Sequence, residues 1–247
     1  MEQKKQKISI AVPSYNEEAI ISRTIKVLHE FCEKKLKNYD WKIIIADNNS
    51  TDRTMEMAKK LEKESDSKII YKFIPQKGKG LAIRESWKNF DAYFYIFMDA
   101  DLATDLSALP ILLKELENGN DLVTGSRFIK ESSIKRPLSR KIISKVFSIL
   151  TQLIFGLKVK DYSYGFKGVN KNIINKILPQ IKNNNFFFDT ELTIRSAVCG
   201  LKIKEISVIC QDRDNVVSKS KVSIFKVTKE YLCELLRLKK DLKIKSQ

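Results

Sequence analysis

The chain has a single histidine, His29, and its four cysteines, Cys32, Cys199, Cys210 and Cys233, form no CxxC pair. A zinc site is therefore excluded in practice, and scattered thiols of this kind are expected to stay reduced in a cytosolic compartment. Eight glycines and five prolines are spread over 247 residues without a Gly/Ser/Pro-rich linker or a repeat. One sizeable core is expected rather than several domains. No apolar run reaches the roughly 18 residues of a spanning helix. The nearest, 142–159, is broken by Lys145, Gln152 and Lys158. Residues 1–7 are polar and lysine-rich and pass straight into a strand-like run, so no signal-peptide core is present there and export is not expected.

Negative charge is also scarce: 30 acidic residues face 46 lysines and arginines, a net charge of +16. Nucleic acid is not the expected partner, because there is no zinc finger, no RNP-type motif and no interleaving of aromatic with basic residues. The basic residues concentrate at 127–160 and 219–245. That distribution suits an anionic membrane surface, and predicts a peripheral protein on the cytoplasmic face. Part of it is also ordinary solubilising charge.

With 43% hydrophobic content, buried-type runs alternate with amphipathic ones. Strands are predicted at 8–12, 42–46, 69–74, 93–98, 122–124, 166–169 and 202–209, and helices at 17–35, from Asp52 onward, 80–90, 108–118, 139–155, 171–181, 190–199 and 222–242. The alternation argues for an α/β fold with a mainly parallel sheet covered on both faces. The 139–155 helix has an apolar face too wide for one packing contact, so part of it is expected to meet lipid or a partner.

Asp99-Ala100-Asp101 directly follows the apolar run 93–98. Alternate strand residues point the same way, so two carboxylates spaced by two face one small volume where a hydrated divalent cation can join a diphosphate. The chemistry indicated is that of sugar nucleotides. The plainer alternative makes Asp101 a helix cap and Asp99 a strand end. Two further strands run into polar turns, Pro13-Ser14-Tyr15-Asn16-Glu17-Glu18 and Asp47-Asn48-Asn49-Ser50-Thr51-Asp52. Both turns fall at strand carboxyl ends, where open parallel sheets bind ligands. Asparagine tolerates left-handed backbone angles, so Asn48 and Asn49 are expected to keep a tight turn.

Together with Lys77-Gly78-Lys79-Gly80 and Gly125-Ser126-Arg127, this ordered set over residues 8–210 resembles the family-2 glycosyltransferases of the GT-A fold, in the branch of the polyprenyl-phosphate (dolichyl-phosphate) hexose synthases. The resemblance implies a catalytic domain over 1–218, with a basic amphipathic extension at 219–247. It implies that Pro13, Tyr15 and Glu17 form the first nucleotide loop, that Asp47 contacts the base, and that Lys77 and Gly78 lie near the donor phosphates. Asp101 would bind Mg²⁺ or Mn²⁺, with Asp99 holding the ribose or a metal-bound water. In mannosyl-transferring relatives a glutamine two residues beyond the second aspartate also helps; here that position is Ala103. Arg127, Arg136, Arg140 and Ser144 would clamp the donor diphosphate and the acceptor phosphate.

The segment Asp161-Tyr162-Ser163-Tyr164-Gly165-Phe166-Lys167 matches a family stretch with Ser163 and Tyr164 in place of Gln and Cys. Phe188-Asp189-Thr190-Glu191-Leu192 matches its late acidic motif, although Asp189 equally suits a helix N-cap. The implied reaction is inverting transfer of a hexose from UDP-glucose or GDP-mannose to a polyprenyl phosphate. That acceptor is already ionised and needs no strong base. Transfer to a sugar hydroxyl would need one, for which Asp189 or Glu191 is the candidate. A non-catalytic basic membrane binder of the same fold is the third reading.

Overall fold

The structure, a computed structural model, describes residues 5–88, 90–135, 137–211 and 224–242. Its first half alternates strands and helices: β1 (Gln6–Ser14), α1 (Ile21–Lys35), β2 (Tyr39–Asp47), α2 (Thr54–Lys63), β3 (Ile69–Phe73), α3 (Lys79–Lys88), β4 (Phe94–Met98), α4 (Ala108–Glu117) and β5 (Leu122–Ser126). The second half holds β6 (Ser133–Lys135), α5 (Leu138–Phe155), β7 (Phe166–Asn170), α6 (Phe188–Val198), β8 (Ile203–Ser207), β9 (Ile209–Gln211) and α7 (Ile224–Asp241).

Seven strands make one sheet in the order β3-β2-β1-β4-β7-β5-β8. All neighbours run parallel except β7, which is antiparallel to both β4 and β5. One face is covered by α1, α2 and α4 through Ile21, Leu28, Leu61, Leu109 and Leu112, and the other by α3 and α6 through Ile83, Trp87, Phe188 and Leu192. This buries both faces of the central strands, which explains why β4 is buried at all five positions. In register, Ser14 lies beside Asp47 and Ala11 beside Phe97, so β1, β2 and β4 end along one edge of the sheet.

Several expected elements differ in detail. Helix α1 begins at Ile21 rather than Glu17, because residues 15–20 make a turn in which Glu17 O accepts the N–H groups of Ile20 and Ile21. The helix expected at 171–181 is a π-turn (Ile173–Ile177) and a short 3-10 turn (Leu178–Gln180). Pro179 lacks the N–H that a continuing α-helix requires. The expected strand 202–209 is two strands, since the chain leaves the main sheet at Val208 and pairs with β6.

Helix α5 buries Phe147, Thr151 and Phe155 and exposes Leu138, Ile142, Val146, Ile149 and Leu153. The wide apolar face expected from sequence is thus divided between core and solvent. The tail helix is more than an appendage: Tyr231, Leu235 and Leu238 of α7 are buried, and Tyr231 stacks on Phe147 at 4.4 Å between ring centroids. The expected boundary at 218/219 lies outside the described residues. No helix among the described residues is long and apolar enough to cross a membrane.

Candidate active site

Two turns at the ends of β1 and β2 are stitched together by side chains. Asn16 adopts φ 54° and Asn49 φ 60°, the left-handed angles expected of asparagine in such turns. Asn16 N–H donates to Ser50 Oγ (3.0 Å), Glu17 N–H to Thr54 Oγ1 (2.8 Å) and Glu18 N–H to Asp52 Oδ2 (3.1 Å), while Asn16 Oδ1 accepts from Thr51 N–H (2.8 Å). Asn48 Oδ1 accepts from Gly78 N–H at 2.9 Å, which draws the third loop to the same place. Gly78 is required there: a Cβ would come within 2.3 Å of the Asn184 carbonyl oxygen. On the rim, Lys77 Nζ donates to Tyr15 Oη at 2.5 Å and lies 4.4 Å from the centroid of its ring. Pro13, near the end of β1, is partly buried.

Asp47, the expected base contact, ends β2. It is fully buried; Oδ1 accepts from Ser50 N–H (2.9 Å) and Oδ2 from Tyr71 Oη (3.0 Å). It pins the turn, and the exposed groups beside it are Tyr15 and Lys77.

Asp99 and Asp101 stand at the end of β4, with Leu102 at φ 49°, an angle costly for leucine and characteristic of a site the fold over-determines. Asp101 is exposed and its Oδ1 accepts from Ala103 N–H at 2.9 Å; Ala100 between them is buried. Met98, Asp99, Asp101, Leu102, Ala103 and Thr104 line a cavity of about 20 Å³, room for roughly one water-sized group. Asp99 is half-exposed and lies against Gly165, where a Cβ would fall 2.2 Å from Oδ2.

Lys79 Nζ sits 2.7 Å from Asp99 Oδ1 and 3.2 Å from Asp189 Oδ2. Although burial alone would lower its pKa, these two carboxylates hold the ammonium above the ordinary lysine range. Lys167 is also fully buried; its Nζ donates to Thr124 Oγ1 at 2.9 Å, and burial pulls it down to about 8.

Glu17 is pushed up to about 7, first by burial and then by the charges of Asp101, Asp52 and Asp99. The folded protein therefore binds a proton that the unfolded chain, with 4.5 for this group, has already released. Stability falls as pH rises through that window. Glu17→Gln, which cannot ionise, should melt above wild type at about pH 8 and level with it at about pH 4. Equal offsets at both values would reject the assignment.

The residues expected to clamp phosphate are joined within the chain. Arg127 Nε and one terminal nitrogen donate to the two oxygens of Asp161, both at 2.7 Å, and the remaining contacts go to Ser144 Oγ (3.1 Å) and Ser163 Oγ (3.0 Å). Its fork grips a buried carboxylate, and Ser144 is one of its acceptors. Arg140 is in the first turn of α5, partly exposed at the same edge. Arg136 lies outside the described residues.

In the late motif, Asp189 is within the first turn of α6 rather than at its N-cap, and it is buried on Lys79. Burial, the leading cause, raises its pKa. Glu191 points to the other side of α6. Its oxygens accept from Arg195 Nε (2.9 Å), Arg237 (3.1 Å) and the N–H groups of Asn183 (2.9 Å) and Lys182 (3.3 Å). It fastens α7 to the core. Sequence reasoning passed over Lys79 as a named site residue, although the second lysine of KGKG was the available signal.

Among the described residues no group of three or more His, Cys, Asp or Glu is placed to hold a metal ion. The Asp99/Asp101 pair nevertheless fits Mg²⁺ or Mn²⁺, hard cations that take one or two carboxylates and fill their other positions with phosphate and water oxygens.

The Glycosyl transferase family 2 model matches residues 9–178. The chain belongs to that family. It is 28% identical over 202 residues to the glycosyltransferase AglD of Haloferax volcanii, covering 81% of this chain and 32% of that protein. It is 29% identical over 243 residues to the dolichyl-phosphate beta-glucosyltransferase of Saccharomyces cerevisiae, covering 90% of this chain and 72% of that one. It is 28% identical over 174 residues to the dolichol-phosphate mannosyltransferase of Pyrococcus furiosus, covering 69% and 48%. The chain thus spans about a third, three quarters and half of these relatives. Among solved structures, the fold matches glucosyl-3-phosphoglycerate synthase of Mycobacterium tuberculosis in complex with Mn²⁺ and UDP-glucose. The TM-score is 0.66 at 17% identity, covering 97% of this chain and 80% of that one. This family-2 chain therefore carries the GT-A architecture expected from its motifs.

Proposed function

We propose that this chain transfers a hexose, with inversion, from a nucleoside diphosphate sugar to a polyprenyl or dolichyl phosphate at the cytoplasmic face of a membrane. UDP-glucose is the preferred donor and GDP-mannose the next. The observation that carries this reading is the state of the late acidic motif. Asp189 is paired with Lys79 and Glu191 with two arginines, so neither stands ready to deprotonate a sugar hydroxyl. A phosphate acceptor needs no such base, because it arrives ionised. The catalytic work is then to hold two anions together and offset their repulsion.

The residues divide that work. Tyr15 and Lys77 line the nucleotide end, and Asp99 and Asp101 would hold Mg²⁺ or Mn²⁺, which when bound supplies Lewis-acid assistance to the departing diphosphate. Arg140 faces the acceptor phosphate. Leu138, Ile142, Val146, Ile149 and Leu153 form an exposed apolar stripe beside Arg140, Lys141 and Lys145. Each basic residue near an anionic surface contributes about 1 kcal/mol, and the stripe gives an apolar surface for lipid. Ser144 on the same helix bonds Arg127 below the cleft, so lipid contact and acceptor delivery share one element.

The test supplies radiolabelled UDP-glucose or GDP-mannose, Mn²⁺ and polyprenyl phosphate in vesicles containing anionic lipid. The label is expected to enter the lipid phase, with protein sedimenting with the vesicles less as salt rises. No turnover of either donor, even by slow hydrolysis, would sink the enzyme reading and favour a binder; label passing only to a sugar hydroxyl would favour the second acceptor class.

A further inference from the structure

The cleft contains its own cation. Lys79 opens α3 and reaches the end of β4 from the protein side: its side chain is 14% exposed against 47% for Asp99. The ammonium touches Asp99 Oδ1 at 2.7 Å and Asp189 Oδ2 at 3.2 Å, and lies 5.5 Å from the centroid of Phe97. Gly165 closes the other flank of Asp99, so the carboxylate is held between a glycine backbone and a lysine. Asp189 is buried behind, and its Oδ1 has no hydrogen-bond partner. The second buried cation, Lys167, is on β7, the strand paired with β4. Asp99 therefore meets an incoming ligand with its charge already neutralised.

We infer that Lys79 is an internal counter-cation that makes divalent-metal binding conditional on the nucleoside diphosphate. A bare dication approaching Asp99 and Asp101 is opposed by an ammonium in contact with one of its two carboxylates. A dication that arrives with a diphosphate brings negative charge towards that same ammonium, and the repulsion becomes attraction. The lack of a third acidic, histidine or cysteine ligand beside the pair among the described residues acts in the same direction. Coupling of this kind is reciprocal, so the nucleotide in turn binds well only with metal. Asp189 is the positioning residue: buried in the first turn of α6, it keeps the ammonium at the strand end rather than out in the cleft. The inference rests on the donor and metal proposed above.

The test is an Mn²⁺ titration followed by electron paramagnetic resonance, with and without UDP, and again with GDP. Wild type should bind Mn²⁺ at least about tenfold more tightly when the nucleotide is present, within the usual range of coupling between sites. Lys79→Gln should bind Mn²⁺ more tightly than wild type without nucleotide and less tightly with it, so the ratio shrinks towards one. Lys79→Arg, which keeps the charge, should retain most of the ratio. Equal Mn²⁺ affinity of wild type with and without nucleotide overturns the inference, whatever the variants do, as does an unchanged ratio in Lys79→Gln. If nucleotide binds but the ratio fails, this inference alone falls. If neither UDP nor GDP binds with Mn²⁺, the proposed function falls with it.

Discussion

Arg127→Ala is expected to lower the melting temperature by on the order of 10 °C. The side chain is 9% exposed and its partner Asp161 1%, and the pair makes two hydrogen bonds of 2.7 Å, with a third from Arg127 N–H to Asp161 Oδ2 at 2.9 Å. Removing one partner leaves a buried carboxylate without its counter-charge, which costs about 3–5 kcal/mol. In a domain of this size each kcal/mol moves the midpoint by roughly 2–4 °C. Arg127 also ties the end of β5 to Ser144 on α5, so the loss loosens the helix that carries Arg140. Thermal melts of Arg127→Ala and Asp161→Asn, with the double variant closing the cycle, check the argument. If Arg127 were instead a ligand clamp, the variant would melt with wild type and fail in acceptor KM alone.

How much of this was legible in the sequence follows from what each feature depends on. The strand ends were readable, because an apolar run followed by a polar turn is a local pattern, and Asp99, Asp101, Asn16 and Asn49 lie in such turns. The left-handed angle at Asn49 was expected from the residue type alone. The antiparallel course of β7 was not readable, since a short buried strand carries no mark of its direction. Nor was the partner of Arg127, because Asp161 is 34 positions away and the same side chain on the surface would have suited a phosphate. The hydrogen bonds of Asp47 were unreadable for a related reason. A carboxylate at a strand end suits a ligand or a turn equally well, and the sequence does not show that Tyr71 arrives from β3 and Ser50 from the turn to bond it. Asp189 and Glu191 suited bases because spacing reveals neither burial nor the partners they meet: Lys79 from α3, Arg237 from α7 and Arg195 one turn further along α6 itself.

Asp101→Asn is the converse case: turnover should fall about 10²- to 10³-fold, the scale for losing one preorganised charge-stabilising group, while the fold survives. Asparagine keeps the size of the side chain and the Oδ1 that accepts from Ala103 N–H, so the turn after β4 retains its hydrogen bond. What it loses is the negative charge of an exposed carboxylate at the mouth of the cleft, beside the Asp99 that Lys79 contacts. Stability should hold or rise slightly, because Asp101 is among the charges that push Glu17 up to about 7, and removing it relieves that repulsion. The check is a transfer assay with Mn²⁺ beside a thermal melt. Activity within about twofold of wild type, in a protein whose wild-type rate is also indifferent to EDTA, would remove the metal from the mechanism. A large fall in melting temperature would instead make Asp101 a structural cap, the plainer role that an aspartate after a strand can play.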